Sequence, residues 1–146
     1  SPIDEPNNTV GDVAELSKAV GIIRRVAAEY IELSGYKLYV VYAADKDFIG
    51  RDMFDWIGFD DYDMNGSILT GKQYKELKES LFPDQKTIII PGGAYGQDPV
   101  PFCNYAKANT EVAVVMPFLW LDDQGEPGIR SNGMAAHYIN AGKSVI

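Results

Sequence analysis

The chain has one cysteine, one histidine, few basic residues and no long apolar run, and each shortage excludes something. Because Cys103 stands alone, no disulfide, cysteine-based zinc cluster or CxxC redox pair can be built within the chain. No apolar stretch approaches the roughly 18 residues of a membrane span. The first residues, Ser1-Pro2-Ile3-Asp4-Glu5-Pro6, have neither the basic region nor the apolar core of a signal peptide. The compartment therefore stays open. Thirteen Lys and Arg stand against twenty-one Asp and Glu, a net charge of -8, so the summed field repels phosphate backbones and anionic lipid surfaces. Neither nucleic acid nor a membrane is an expected partner.

What is present is ordinary globular material: 46% hydrophobic and 23% charged residues in 146, enough to bury a core as one domain or domain fragment over residues 1–146. Between Thr9 and Ser34, Val10, Val13, Leu16, Val20, Ile23, Ala27, Tyr30 and Leu33 recur at helical spacing, with Asn8 or Thr9 as cap and Gly35 as stop. Lys37 to Ala44 is β-branched and aromatic, as a strand buried on both faces of a parallel sheet should be. A helical turn around Asp47 to Phe54 follows. Asp55 to Phe59 reads as a strand, Thr70 to Leu81 as a helix and Lys86 to Ile90 as a strand stopped by Pro91-Gly92-Gly93. Asp98 caps a helix with Pro99 at its first position that runs to about Asn109. Glu111 to Trp120 is a further strand, and Ser131 caps a last helix ended by Gly142. Alternating strands and helices predict an α/β fold with right-handed crossovers and a parallel sheet. Ligands of such sheets bind at the carboxyl ends of the strands.

The strand ends are therefore the places to look for chemistry. After Asp55–Phe59 come Asp60, Asp61, Tyr62 and Asp63, three carboxylates in four residues. Such a cluster is either a solvated loop or a site where a cation or sugar hydroxyls relieve the like-charge repulsion. Asp61, Asp63, Asn65 and Gly66 also match the start of a calcium-binding EF-hand loop, but Lys72 stands where the bidentate Glu belongs, which leaves only a weak calcium candidate. Pro91 to Gly96 lacks both the GxGxxG spacing and the Lys-Ser/Thr of a P-loop, so it reads as a tight turn that lets another group approach the backbone. Tyr95 follows it. The next strand ends in Phe118-Leu119-Trp120-Leu121-Asp122-Asp123; Trp120 is either core or a platform on which a sugar ring stacks, and Arg130 is placed to pair with a loop carboxylate. His137, inside the last helix, reads as packing or surface, and Cys103 as a buried structural thiol.

The order of these segments resembles a known family. An Asx-Glu-Pro (Asp4-Glu5-Pro6), then helix, strand, helix, a strand ending in Asp60-Asp61-Tyr62-Asp63, and a last strand ending in Phe118-Leu119-Trp120 is similar to strands four to eight of the clan A glycoside hydrolases. The resemblance implies the C-terminal half of a (β/α)8 barrel. It implies Glu5 as general acid/base, with Asp4 in place of the family's Asn and Asn7 close by, and Trp120 as the floor beneath the sugar. It places Asp60, Tyr62 and Asp63 along the cleft as ligands for hydroxyls; Tyr95 and Asp122, by their places after strands, are further candidate binding residues. The family's second Glu, the nucleophile after strand seven, has no counterpart: Ile90-Pro91-Gly92-Gly93 contains no acid. A glycosidase needs two carboxyl groups, about 5–5.5 Å apart for retention or about 6.5–9.5 Å for inversion, so Asp60 or Asp63 would have to supply the other.

Three functions are thus expected from different classes: a glycosidase acting on a polysaccharide, a non-catalytic carbohydrate-binding or structural protein on the same scaffold, and a small flavodoxin-like open sheet binding a divalent cation. No cofactor is expected beyond the calcium candidate. Because about 250 residues make a full barrel, a second chain or a missing N-terminal half is expected to complete this one. Action on a polysaccharide would favour a secreted or extracellular setting. The chain opens on Ser1 and not on Met, as expected of a processed chain or a segment of a longer one.

Overall fold

A computed structural model describes residues 12–30, 35–40, 53–60, 71–118, 120–123, 125 and 127–145. Helix α1, Val13–Ala28, is capped by Asp12, whose carboxylate accepts from the backbone N–H of Ala14 at 2.8 Å. The cap thus falls later than Asn8 or Thr9, because Asp12 is the residue whose extended backbone lets a side chain reach back to the first turn. Strand β1 is Tyr39–Val40 and β2 is Trp56–Asp60. Helix α2, Lys72–Ser80, leads to β3, Lys86–Ile90; a short 3-10 turn, Gly93–Tyr95, precedes helix α3, Pro99–Ala108. Strand β4 is Val112–Val115 and helix α4 is Ala135–Lys143. None of the described helices is long and apolar enough to cross a membrane.

All three strand pairings are parallel, and the sheet order is β1-β2-β3-β4, each strand beside its predecessor. The α/β class with parallel strands alternating with helices is therefore as the periodicities predict. The pleat sends Val40, Ile57, Phe59 and Ile89 to one face, and on that face they form one core with Leu16 and Val20 of α1, Tyr74 and Leu77 of α2, and Phe102 of α3. Ile88 and Ile90 point the other way and are also buried, which explains the unbroken Ile run of β3.

Two elements end differently from their sequence patterns. Strand β4 stops at Val115, although apolar residues continue to Trp120, because Pro117 has no N–H to donate; Phe118 then returns as a single parallel bridge to Gly92. Within β4 the register slips: Thr87 faces Val112 and Ile88 faces Val114, leaving Ala113 as an extra residue, a bulge that brings Val112 and Val115 to the helix-facing core. Helix α4 starts at Ala135 and not behind Ser131. The intervening turns bring Ile129, fully buried, against Gly93, where any Cβ would collide with the Ile129 side chain and lie 3.1 Å from the Tyr138 ring. The glycines after β3 thus serve close approach, as their lack of phosphate-loop spacing suggests. Gly96 ends the 3-10 turn at φ 77, a left-handed conformation that favours glycine.

At the amino ends of the strands the structure is tied by side chains. Arg24 donates to the Met53 carbonyl at 3.0 Å and pairs with Asp55, whose carboxylate also accepts from Leu38 N–H at 2.8 Å. This use of Asp55 as a tie is why β2 begins at Trp56. On the other side of the sheet's foot, Lys78 Nζ donates to Tyr105 Oη at 2.7 Å, and Tyr105 Oη donates to Glu111 at 3.0 Å. Buried Tyr74 meets the Thr87 hydroxyl at 3.2 Å.

Candidate functional site

The carboxyl ends of β2, β3 and β4 lie at one end of the sheet, and the residues singled out there fall into three groups. Asp60 is the last residue of β2, opposite Ile90, and alternation places it on the face away from the helices. It is partly buried. Asp4, Glu5, Asn7, Asp61, Tyr62, Asp63 and Asn65 lie outside the described residues. The described residues hold no group of three or more His, Cys, Asp or Glu able to hold a metal ion.

The second group is aromatic. Tyr95 sits in the 3-10 turn after β3, exposed, with its ring stacked on Phe118 at 6.4 Å between centroids and 22° between planes. Main-chain bonds fix this pair: Phe118 N–H donates to Pro91 and Ala94 N–H donates to Phe118, both at 2.9 Å. Phe118 is the member that residue-by-residue reading passes over, because its motif draws attention to Trp120. Adjacent strands lie about 4.8 Å apart, so β2 and β4 are separated by about 10 Å.

The third group belongs to the segment after β4. Trp120 is 41% exposed and lines an apolar groove of about 280 Å³ with β4, α3 and α4, while its carbonyl accepts from Arg130 N–H. Tyr95 is not part of that groove. Asp122 closes its own loop: Oδ1 accepts from Gly128 N–H at 2.8 Å. The Ser131 hydroxyl, that N–H and Arg130 hold its carboxyl below the usual carboxylate range.

His137 and Asp98, distant in sequence, come together here. His137 Nε2 lies 2.8 Å from Asp98 Oδ1, joining the first turn of α4 to the cap of α3. The Val100 N–H, and next the imidazole, hold the Asp98 carboxyl below its ordinary value. Beside them Tyr138 Oη donates to the Gln97 carbonyl at 2.9 Å, and the buried Gln97 side chain accepts from Gly92 N–H at 2.6 Å. Asn132 donates to the Gly93 carbonyl at 2.9 Å. The last helix is therefore built into the loop after β3, a long-range contact without a local signal. Cys103 is buried, and desolvation pushes its thiol up, which removes it from nucleophilic chemistry at neutral pH.

Chemically, this end of the sheet offers a rigid exposed aromatic face after β3, the Asp60 carboxylate at the end of neighbouring β2 and further carboxylates in the loops. No family model, curated protein or solved structure matches the chain.

Proposed function

We propose that the chain is the C-terminal half of a glycoside hydrolase-like (β/α)8 barrel that binds or cleaves a polysaccharide at the carboxyl ends of its strands. The observation that carries this reading is the Tyr95–Phe118 pair: an exposed ring, backed by a second ring and held by main-chain bonds, at the same end of the sheet as Asp60. Sugars present C–H faces to such rings and hydroxyls to such carboxylates. Trp120 is the second platform, and Glu5 with Asp60 or Asp63 supplies the two carboxyl groups of a hydrolytic version.

The barrel is supported by the strand order. Four consecutive strands each join the sheet beside the last, with α1, α2 and α3 on one face, the arrangement of a singly wound barrel. A flavodoxin-like sheet, of order 2-1-3-4-5, reverses direction and places helices on both faces.

A second reading, a binding protein without hydrolysis, is favoured by the end of β3. Gly93 there is packed against Ile129, and the segment that would carry the family's nucleophile holds no acid before Asp98.

A panel of soluble polysaccharides, scored for both binding and reducing-sugar release, tests these readings. Binding lost in Tyr95→Ala, with release abolished in Glu5→Gln, is the expected result for the enzyme. Binding without release, indifferent to Glu5→Gln, leaves the binding protein. Failure of the folded chain to bind any glycan would refute both.

A further inference from the structure

We propose that Asn132, in the segment between β4 and α4, is a positioning residue for glycan binding: its side-chain amide sets the angle at which the Tyr95 ring faces the sugar. The proposal rests on the reading of Tyr95 as a glycan platform and adds what controls that platform.

The direction of the ring is decided by the backbone of a single 3-10 turn, Gly93–Tyr95, and both peptide groups inside that turn are held at both of their polar atoms. In the peptide joining Gly93 to Ala94, the N–H donates to the Phe118 carbonyl at 2.9 Å. The Gly93 carbonyl accepts from Gly96 N–H at 3.1 Å and from Asn132 Nδ2 at 2.9 Å. In the peptide joining Ala94 to Tyr95, the N–H donates to the Gly92 carbonyl at 3.0 Å, and the Ala94 carbonyl accepts from Asn132 Nδ2 at 3.2 Å. One side chain thus reaches both carbonyls, and its amide nitrogen carries a hydrogen for each.

Asn132 is itself held in place. Its N–H donates to the Gly128 carbonyl at 2.9 Å, and its Oδ1 accepts from Met134 N–H at 3.0 Å. With the oxygen on a donor, the nitrogen is left for the two carbonyls, which can only accept, so the partners fix which way the amide points. Earlier in the same segment, Ile129 fills the space that a Cβ on Gly93 would need. The segment therefore grips the turn twice, by packing at Gly93 and by hydrogen bonds at the carbonyls.

The ring contact depends on that grip. The Tyr95 and Phe118 centroids are 6.4 Å apart, near the upper end of the range of about 4.5–7 Å over which rings pair, so a modest rotation of the turn would part them. A ring already oriented lets a ligand bind without first ordering it. Asn132 is exposed, so a substitution there reaches the ring without opening the core.

The test uses the intact chain and Asn132→Asp, which keeps the acceptor for Met134 N–H and removes both donations. In chain labelled with 3-fluorotyrosine, the Tyr95 fluorine signal, identified by its loss in Tyr95→Phe, should move toward that of free tyrosine. The melting temperature should change by no more than about 2 °C. Affinity for the best-bound polysaccharide of the panel should fall about fivefold, and the same substitution placed on Tyr95→Ala should lower it no further. An unmoved Tyr95 signal, an unchanged affinity, or an equal loss with and without the Tyr95 ring would each overturn the proposal. A parent chain that binds no polysaccharide would refute the glycan reading, and the role of Asn132 in binding with it; the fluorine signal then reports separately whether Asn132 orients the ring.

Discussion

His137 Nε2 lies 2.8 Å from Asp98 Oδ1, so one carboxylate both caps α3 and holds the first turn of α4 across a separation of 39 residues. Because Asp98 is held below its ordinary value, its contribution is complete above the unfolded-state carboxylate value and is lost as pH falls through the lower folded value. Thermal melts of the parent chain and Asp98→Asn should therefore differ at pH 6 and converge below about pH 4. A gap that widens on acidification would contradict this assignment. Asp98→Ala, which also removes the cap, should cost about 1 kcal/mol at pH 7 in a denaturant titration.

Gly93 has no room for a methyl group. Gly93→Ala should destabilise the chain by about 1–3 kcal/mol through overpacking against Ile129. Adding Ile129→Val should return part of the loss, a coupling that a double-mutant cycle in urea measures directly.

The hydroxyl of buried Tyr74 meets those of Thr87, at 3.2 Å, and Tyr105, while the Thr87 hydroxyl also reaches the Glu111 carbonyl at 3.3 Å. Tyr74→Phe leaves Thr87 with that alternative, so the expected cost is about 1 kcal/mol. Tyr74→Ala removes a fully buried ring packed on Phe59 and Tyr105, and about 3–5 kcal/mol is expected from chemical denaturation.

Tyr95→Ala separates binding from stability. Its ring is exposed, so a change in melting temperature of no more than about 2 °C is expected. Loss of a stacking face should weaken glycan binding about tenfold, roughly 1.4 kcal/mol, in calorimetric titration.

The fold was legible where local rules decide it. The Ile run of β3, Asp98 before Pro99 and the helical spacing of Leu16, Val20 and Ala27 each announce an element that the structure contains. What long-range packing decides was not legible. Nothing near Ser131 says that Ile129 must reach Gly93 and so delay α4, and nothing near Val115 says that Phe118 will bridge to Gly92. The candidate site divides the same way. Strand ends located Tyr95 and Asp60, whereas the Tyr95–Phe118 stack and the Asp98–His137 contact come from segments 23 and 39 residues apart, visible only once β3 and β4 are paired.

The extra residue in β4 is a spare link. On either side of it the pairings are already in step, Thr87 with Val112 and Ile88 with Val114, so a chain shortened by Ala113 alone would close into an unbroken ladder with every later side chain on its present face. An insertion at the same place has no such outlet: it would have to enlarge the bulge or reverse the faces that Val114 and Val115 present.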